Sequence, residues 1–233
     1  MKLNVKAVIF DCDGVLVDSE HSHYLSWLYA LQQHGHGLPL EEYHQYVGNP
    51  ALETARQLSE KIGKDCAEEL LKCKRACYQG LQAQGIPPIQ ATIDFVHLLA
   101  KEKNERGIRL GVASAAKKKE VVLNLRQQGI EEIFDVVLSG QDDLAEYQDP
   151  EGVNKPKPYI YLHAAKMLKV SPEECVVIED SRPGVSAGRD AGCMTVAVPN
   201  RFTQKQDLAH AKLILNSFQG MEVAQFFQLI SES

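Results

Sequence analysis

Short, largely apolar runs recur along this chain, and each stops abruptly at a polar residue or proline. They are AVIF before Asp11, IRLGVA before Ser114, FDVVL before Ser139, CVVI before Glu179, MTVAV before Pro199 and LIL before Asn216. Runs that do not alternate suit strands buried on both faces, the condition of a parallel sheet covered by helices on each side. Helical patterns lie between them. After two prolines suited to a helix start, Tyr161, Ala164, Ala165 and Leu168 recur at i, i+3, i+4 and i+7. This order predicts an α/β fold with a doubly wound, Rossmann-like parallel sheet.

Residues 16–88 interrupt that order. They hold no convincing strand but several amphipathic helices, one with Tyr24, Trp27, Leu28 and Leu31 on its apolar face and another with Ala51, Ala55, Leu58 and Ile62. The expected organisation is a first strand in 1–15, an inserted all-helical cap domain in 16–88, and the remainder of the core in 89–233.

Charge and length narrow the function classes. The net charge is 25 − 31 = −6, and Lys117, Lys118 and Lys119 form the one basic run. Nucleic acid and anionic membrane surfaces are therefore poor partners. The apolar stretch near the start runs straight into DCD, too short for a signal segment. No stretch approaches the roughly 20 apolar residues of a membrane helix. The six cysteines include no C-x-x-C pair, and Cys66, Cys73 and Cys77 fall on a helical stripe with Leu70 and Leu81 that reads as buried packing. The expectation is a cytoplasmic monomer.

The chemistry sits at the strand ends. In Asp11-Cys12-Asp13-Gly14 the two acids are i and i+2, so both face one side at the carboxyl end of the first strand. Open α/β sheets bind ligands there. Glu179 and Asp180 supply two more acids at another strand's end. Four acids with no Cys or His cluster make a hard, all-oxygen site that suits Mg²⁺. A phosphate dianion about 4 Å from one carboxylate is repelled by roughly 8 kcal/mol at an effective dielectric near 20. A cation and a positive side chain must offset that. Lys155, in NKPKP, is the candidate, with Ser114 and nearby backbone amides such as that of Ala115 holding phosphate oxygens. Asp11 can then attack phosphorus, and Asp13 can serve as general acid and base.

The runs DCDGVLVDSE, VASAA, KPKPYIY and EDSRPGVSAGRDAG resemble the four ordered motifs of the haloacid-dehalogenase superfamily. The insert's position resembles the β-phosphoglucomutase-like branch, with its helical-bundle cap. The resemblance implies that Asp11 is the nucleophile and Asp13 the general acid/base, whose backbone carbonyl also ligates the metal. It implies that Ser114 and Lys155 bind phosphate, that Asp180 is a metal ligand, and that Glu179 binds or supports the metal. Three departures from the family pattern stand out. Tyr159 replaces an acid in the third motif, the loop 141–153 is long and acidic, and Gln90-Ala91 stands where Pro-Gly is common.

Other residues are candidates to face the substrate: His23, Trp27, Lys74 and Lys117. Trp27 also belongs to an apolar face, and the lysine run also reads as a solvated helix start. The pairs His21/His23 and His34/His36 are poor zinc ligands, since residues two apart on a helix diverge. The expected activity is that of a phosphatase for a small phosphorylated metabolite such as a sugar phosphate. The rival is a phosphomutase. Mutases of the resembled branch hold a distal phosphate with a cap arginine and a small polar residue beside the serine, and Ala51 and Ala116 stand at those positions here. Lys74, Lys117 and His23 do have counterparts in those mutases. A phospho-accepting signalling module is disfavoured, because such modules lack a cap and an equivalent of Asp13.

Overall fold

The computed structural model describes residues 4–233. The chain forms two compact units, one running to Val17 and resuming over Pro88–Ser233, the other spanning Asp18–Pro87.

The first unit is a six-stranded sheet of β1 (Ala7–Phe10), β2 (Arg109–Ser114), β3 (Val136–Ser139), β4 (Cys175–Glu179), β5 (Met194–Ala197) and β6 (Leu213–Ile214). All neighbours pair in parallel, in the order β3-β2-β1-β4-β5-β6. This is the doubly wound arrangement, and its strand order reverses between β1 and β4. Every residue of β1 and β4 is buried, as their unbroken apolar runs require. Each strand predicted from an apolar run is present.

Helices cover both faces. Helix α7 (Tyr159–Leu168) packs on β1, β2 and β3. Its Tyr161, Ala164, Ala165 and Leu168 join Ile9, Ala113 and Val177 in one buried cluster. Each large apolar side chain so buried contributes about 1.5–3 kcal/mol. Helix α5 (Gln90–Arg106) carries Phe95, which stacks on Phe218 and meets Phe226 of the C-terminal helix Val223–Glu232 edge-on. Helices α6 (Lys118–Gln127) and α8 (Arg182–Asp190) complete the layers.

The second unit contains α1 (Ser19–Gln32), α2 (Leu40–Tyr43), α3 (Ala51–Lys61) and α4 (Ala67–Gln84), with α4 packed against both α1 and α3. Two faces differ from those expected. On α1, Trp27 and Leu31 are buried as predicted, but Ser22, Ser26 and Ala30 are buried beside them while Tyr24 and Leu28 are only half-buried. The Ser26 hydroxyl donates to the Ser22 carbonyl at 2.6 Å, so a hydroxyl satisfied within its own helix packs as a small residue. On α4 the buried face runs through Leu70, Leu71, Lys74, Tyr78 and Gln82. Cys66, Cys73 and Cys77 are only half-buried, because a lysine with a partner inside the unit takes the place that hydropathy would give to a cysteine. Among the described residues no helix is long and apolar enough to cross a membrane.

Candidate active site

The strand-order reversal brings the ends of β1 and β4 side by side, and the acids at those ends converge. One carboxylate oxygen from each of Asp11, Glu179 and Asp180 lies within 4.8 Å of the others, and all three residues are buried. Asp13 stands apart from this trio. Its Oδ2 accepts a hydrogen bond from the Ser114 hydroxyl at 3.0 Å, and that hydroxyl oxygen accepts the Ala116 N–H at 3.0 Å. Thus β2 supplies a serine to the acid after β1, across one strand pair.

Lys155 enters from the segment before α7. Its ammonium donates to Asp11 Oδ1 at 2.5 Å, to Glu179 Oε1 at 2.7 Å and to the Ala113 carbonyl at 3.0 Å. It is 7% exposed and its two carboxylate partners are 9% and 1% exposed, so water screens these charges little. Burial opposes the charge on Lys155, but Asp11 and Glu179 outweigh it and hold the ammonium protonated. Burial pushes the Asp11 carboxyl up to about 8 against the pull of Lys155, with Glu179 and Asp13 pushing the same way. One ammonium thus stands against several buried acids, a local excess of negative charge that a cation relieves.

The donor set fits a divalent metal ion. It offers carboxylate oxygens only, which suits a hard cation. The three acids are not equivalent, however. Glu179 Oε1 accepts from both Lys155 and the Tyr161 hydroxyl, the latter at 2.6 Å, while Oε2 accepts from the Ser181 hydroxyl at 3.2 Å and the Asp180 N–H at 3.2 Å. Both of its oxygens are therefore engaged, Oε1 by Lys155 and Tyr161 and Oε2 by the Ser181 hydroxyl and the Asp180 N–H.

Residues that the motif reading passed over complete the centre. Tyr161, expected only as a core residue, lies beneath the Lys155 ammonium, 4.9 Å from its ring centre. Burial and Glu179 keep its phenol protonated, so it acts as a donor. Gly184, in the first turn of α8, leaves the space that Glu179 fills, since a Cβ there would fall 1.9 Å from the carboxylate. Gly14 (φ +82°) makes the turn after β1, and a Cβ on it would fall 2.3 Å from Asp180 Oδ2. Both glycines lie inside the quoted motifs, which was the available signal.

The remaining candidates separate. Ala115 is exposed at the end of β2, its carbonyl accepting from the Gln141 amide at 3.1 Å. Lys117 is exposed at the N-cap of α6. Lys118, expected to be solvated, instead donates to Asp143 at 2.9 Å and to the Val137 carbonyl. Within the helical unit, His23, Trp27 and Lys74 form a group of their own. Lys74 Nζ lies 2.9 Å from His23 Nδ1 and 5.7 Å from the Trp27 ring centre, and the His23 ring stacks on Tyr78 at 4.1 Å.

Buried acids gathered at the switch point of a doubly wound sheet place a candidate metal site where such sheets bind their ligands. The family model for haloacid dehalogenase-like hydrolases matches residues 5–192, and the chain belongs to that family. It is 34% identical over 202 residues to YhcW of Bacillus subtilis, named provisionally as a phosphatase, covering 85% of this chain and 86% of that one. It is 31% identical over 193 residues to a phosphorylated carbohydrates phosphatase of Thermotoga maritima, covering 81% and 82%. It is also 31% identical over 202 residues to a β-phosphoglucomutase of Bacillus subtilis, covering 83% of each chain. In structure it matches a β-phosphoglucomutase from Clostridium difficile with a TM-score of 0.75 at 24% identity, over 98% and 97% of the two chains, which shows the fold. The chain is thus an enzyme of the phosphatase or phosphomutase kind.

Proposed function

We propose that this protein is a Mg²⁺-dependent phosphatase for a small phosphorylated metabolite, working through a phosphoaspartate on Asp11. The observation that carries this reading is the buried Lys155 ammonium held against Asp11 at 2.5 Å and Glu179 at 2.7 Å. A cation built into that position both orients the Asp11 carboxylate and meets the charge of an arriving phosphate.

In the first half-reaction an Asp11 oxygen attacks phosphorus and the bond to the ester oxygen breaks. Asp13 gives its proton to the departing alkoxide. In the second, Asp13 takes a proton from water, whose oxygen attacks the phosphoaspartate. Phosphate leaves and the Asp11 carboxylate returns. Asp11, Asp180 and the Asp13 backbone carbonyl would hold Mg²⁺, with Glu179 supporting. When bound, the ion neutralises charge on the transferring phosphoryl group. Ser114, the Ala115 amide and Lys155 would take the phosphate oxygens.

Sugar phosphates are the favoured substrate class, supported by the names of the two relatives that specify a carbohydrate or glucose phosphate. Residues 16–88, acting as a cap, would set the choice among them. Asp11→Asn should abolish turnover on a sugar-phosphate panel, as should excess chelator. Full turnover by either would sink the mechanism.

A second reading, a β-phosphoglucomutase, is favoured by one observation, the His23–Lys74 pair at 2.9 Å, at positions where those mutases carry the same residue types. Against it, Ala51 begins α3 and the nearest arginine, Arg56, is exposed. The deciding assay mixes protein, Mg²⁺, β-glucose 1-phosphate and a trace of glucose 1,6-bisphosphate. Release of free phosphate supports the phosphatase, whereas rapid glucose 6-phosphate formation with little free phosphate supports the mutase.

A further inference from the structure

Asp180 is gripped from one side by a loop that none of the recurring motifs contains. Asn200 Nδ2 donates to Asp180 Oδ2 at 2.7 Å and to the Gly14 carbonyl at 3.2 Å. The Thr203 hydroxyl donates to the same Oδ2 at 3.3 Å, and its oxygen accepts the Asn200 N–H at 3.0 Å. The Asn200 amide is oriented in turn, because its Oδ1 accepts the Phe202 N–H at 2.8 Å. Thr203 is 2% exposed and Asp180 5%, so these bonds form away from competing water. The loop after β5 therefore ties the turn after β1 to the acid after β4.

Two donors use both in-plane lone pairs of Oδ2. The turn at Gly14 runs close beside that oxygen, with room for no Cβ, which would fall 2.3 Å from it. Asp180 can then offer a metal one oxygen and not two. Ca²⁺ takes six to eight oxygens and often binds carboxylates through both, whereas Mg²⁺ demands a tight octahedron. Asp11 adds to the restriction, since its Oδ1 receives the Lys155 ammonium. Both oxygens of Glu179 are occupied as well.

We infer that Asn200 and Thr203 are positioning residues that hold Asp180 to single-oxygen ligation and so select Mg²⁺ over Ca²⁺ at this site. This rests on the reading of Asp180 as a metal ligand, and the test separates the two ideas. Chelator-stripped full-length protein is titrated calorimetrically with Mg²⁺ and with Ca²⁺. The variants are Asn200→Ala, Thr203→Val, Thr203→Ser and Asp180→Ala, each checked for cooperative unfolding.

Freeing Oδ2 should weaken Mg²⁺ binding by about tenfold, the lower end of the range for lost outer-shell partners. Ca²⁺ binding should hold or tighten, so the ratio of the two dissociation constants shifts toward Ca²⁺ in Asn200→Ala and Thr203→Val. Thr203→Ser keeps the hydroxyl and should keep the wild-type ratio, which a general loosening of the loop would not predict. If Asp180→Ala loses Mg²⁺ while Asn200→Ala and Thr203→Val both keep the wild-type ratio, the inference is overturned and the metal assignment stands. Undiminished Mg²⁺ binding by Asp180→Ala would overturn both. Thr203→Val is nearly isosteric, so it keeps the test decisive even where Asn200→Ala fails to fold.

Discussion

The Tyr159 hydroxyl donates to Asp149 Oδ2 at 3.0 Å, and this bond joins two of the places where the chain departs from its family's pattern. Tyr159 stands where the third motif usually carries an acid, and Asp149 belongs to the long acidic loop 141–153. Lys157 pairs with the same loop, at 3.3 Å from Asp149 and 2.6 Å from Glu151, and Tyr147 packs beside Tyr159. The Glu151 N–H, then Tyr159 and Lys157, hold the Asp149 carboxyl below the usual range. The loop thus sets an acid against the residue that replaces the motif's own. Tyr159→Phe and Asp149→Ala should each lower the melting temperature slightly, with the double variant no worse than the poorer single one. Thermal unfolding of all four proteins checks this, and strictly additive losses would show that the residues act independently.

Much of this architecture was legible because its signals are local. Each strand is a short, largely apolar run; Asp11, Glu179 and Asp180 sit within a residue of a strand end, and Lys155 lies four residues before α7. What was not legible depends on distant approach. Asn200 reaches the Gly14 carbonyl across 186 positions, and nothing near VPN announces a partner for an acid. Tyr161 fits helical periodicity so well that its hydroxyl goes unnoticed. Lys74 is buried because His23 lies 51 positions away on another helix, which no hydropathy pattern along α4 can convey.

Tyr161→Phe isolates one hydroxyl, since the ring beneath Lys155 is kept. The buried Glu179 Oε1 would lose its 2.6 Å donor and depend on Lys155 alone. A hydrogen bond to a buried charged group is worth about 1.5–3 kcal/mol. The denaturant midpoint should fall accordingly at unchanged slope, and turnover should drop as Lys155 is held less firmly. An unshifted midpoint would show that the hydroxyl contributes nothing to the centre.

Gly184→Ala and Gly80→Ala should have opposite signs. A Cβ at Gly184 falls 1.9 Å from Glu179, which cannot retreat while Lys155, Tyr161 and Ser181 hold it. Overpacking of this kind costs about 1–3 kcal/mol, and activity should fall with it. Gly80 lies within α4 with nothing near its Cβ position, so alanine there should stabilise by about 0.5–1 kcal/mol. Equal effects in chemical denaturation would contradict this account of Gly184.

Asp13→Asn keeps the backbone carbonyl and a side-chain acceptor for Ser114, yet removes the group proposed to carry the proton. Turnover should fall by about 10²- to 10⁴-fold with Mg²⁺ affinity little changed. Steady-state kinetics beside metal titration separates the two effects. A variant within a few-fold of wild type would assign the proton transfer elsewhere.

His23 makes stability depend on pH in one direction. Burial lowers its pKa well below the ordinary 6.5, and the adjacent Lys74 ammonium lowers it further, so the folded protein keeps a neutral imidazole that accepts from Lys74 at 2.9 Å. The unfolded chain takes up a proton at the ordinary value. Below pH 6.5 the unfolded state therefore binds more protons at this residue, and stability falls as pH falls, by up to about 1.4 kcal/mol per pH unit for one such group. Above that pH neither state holds the proton and the contribution is constant. Glutamine at position 23 can still accept from Lys74 but cannot titrate, so His23→Gln should remove this part of the slope. The stability difference between wild type and His23→Gln, measured by chemical denaturation from pH 5 to 7.5, should shift against the wild type below 6.5. A difference that stays flat across that range would mean that folding leaves the proton affinity of His23 unchanged.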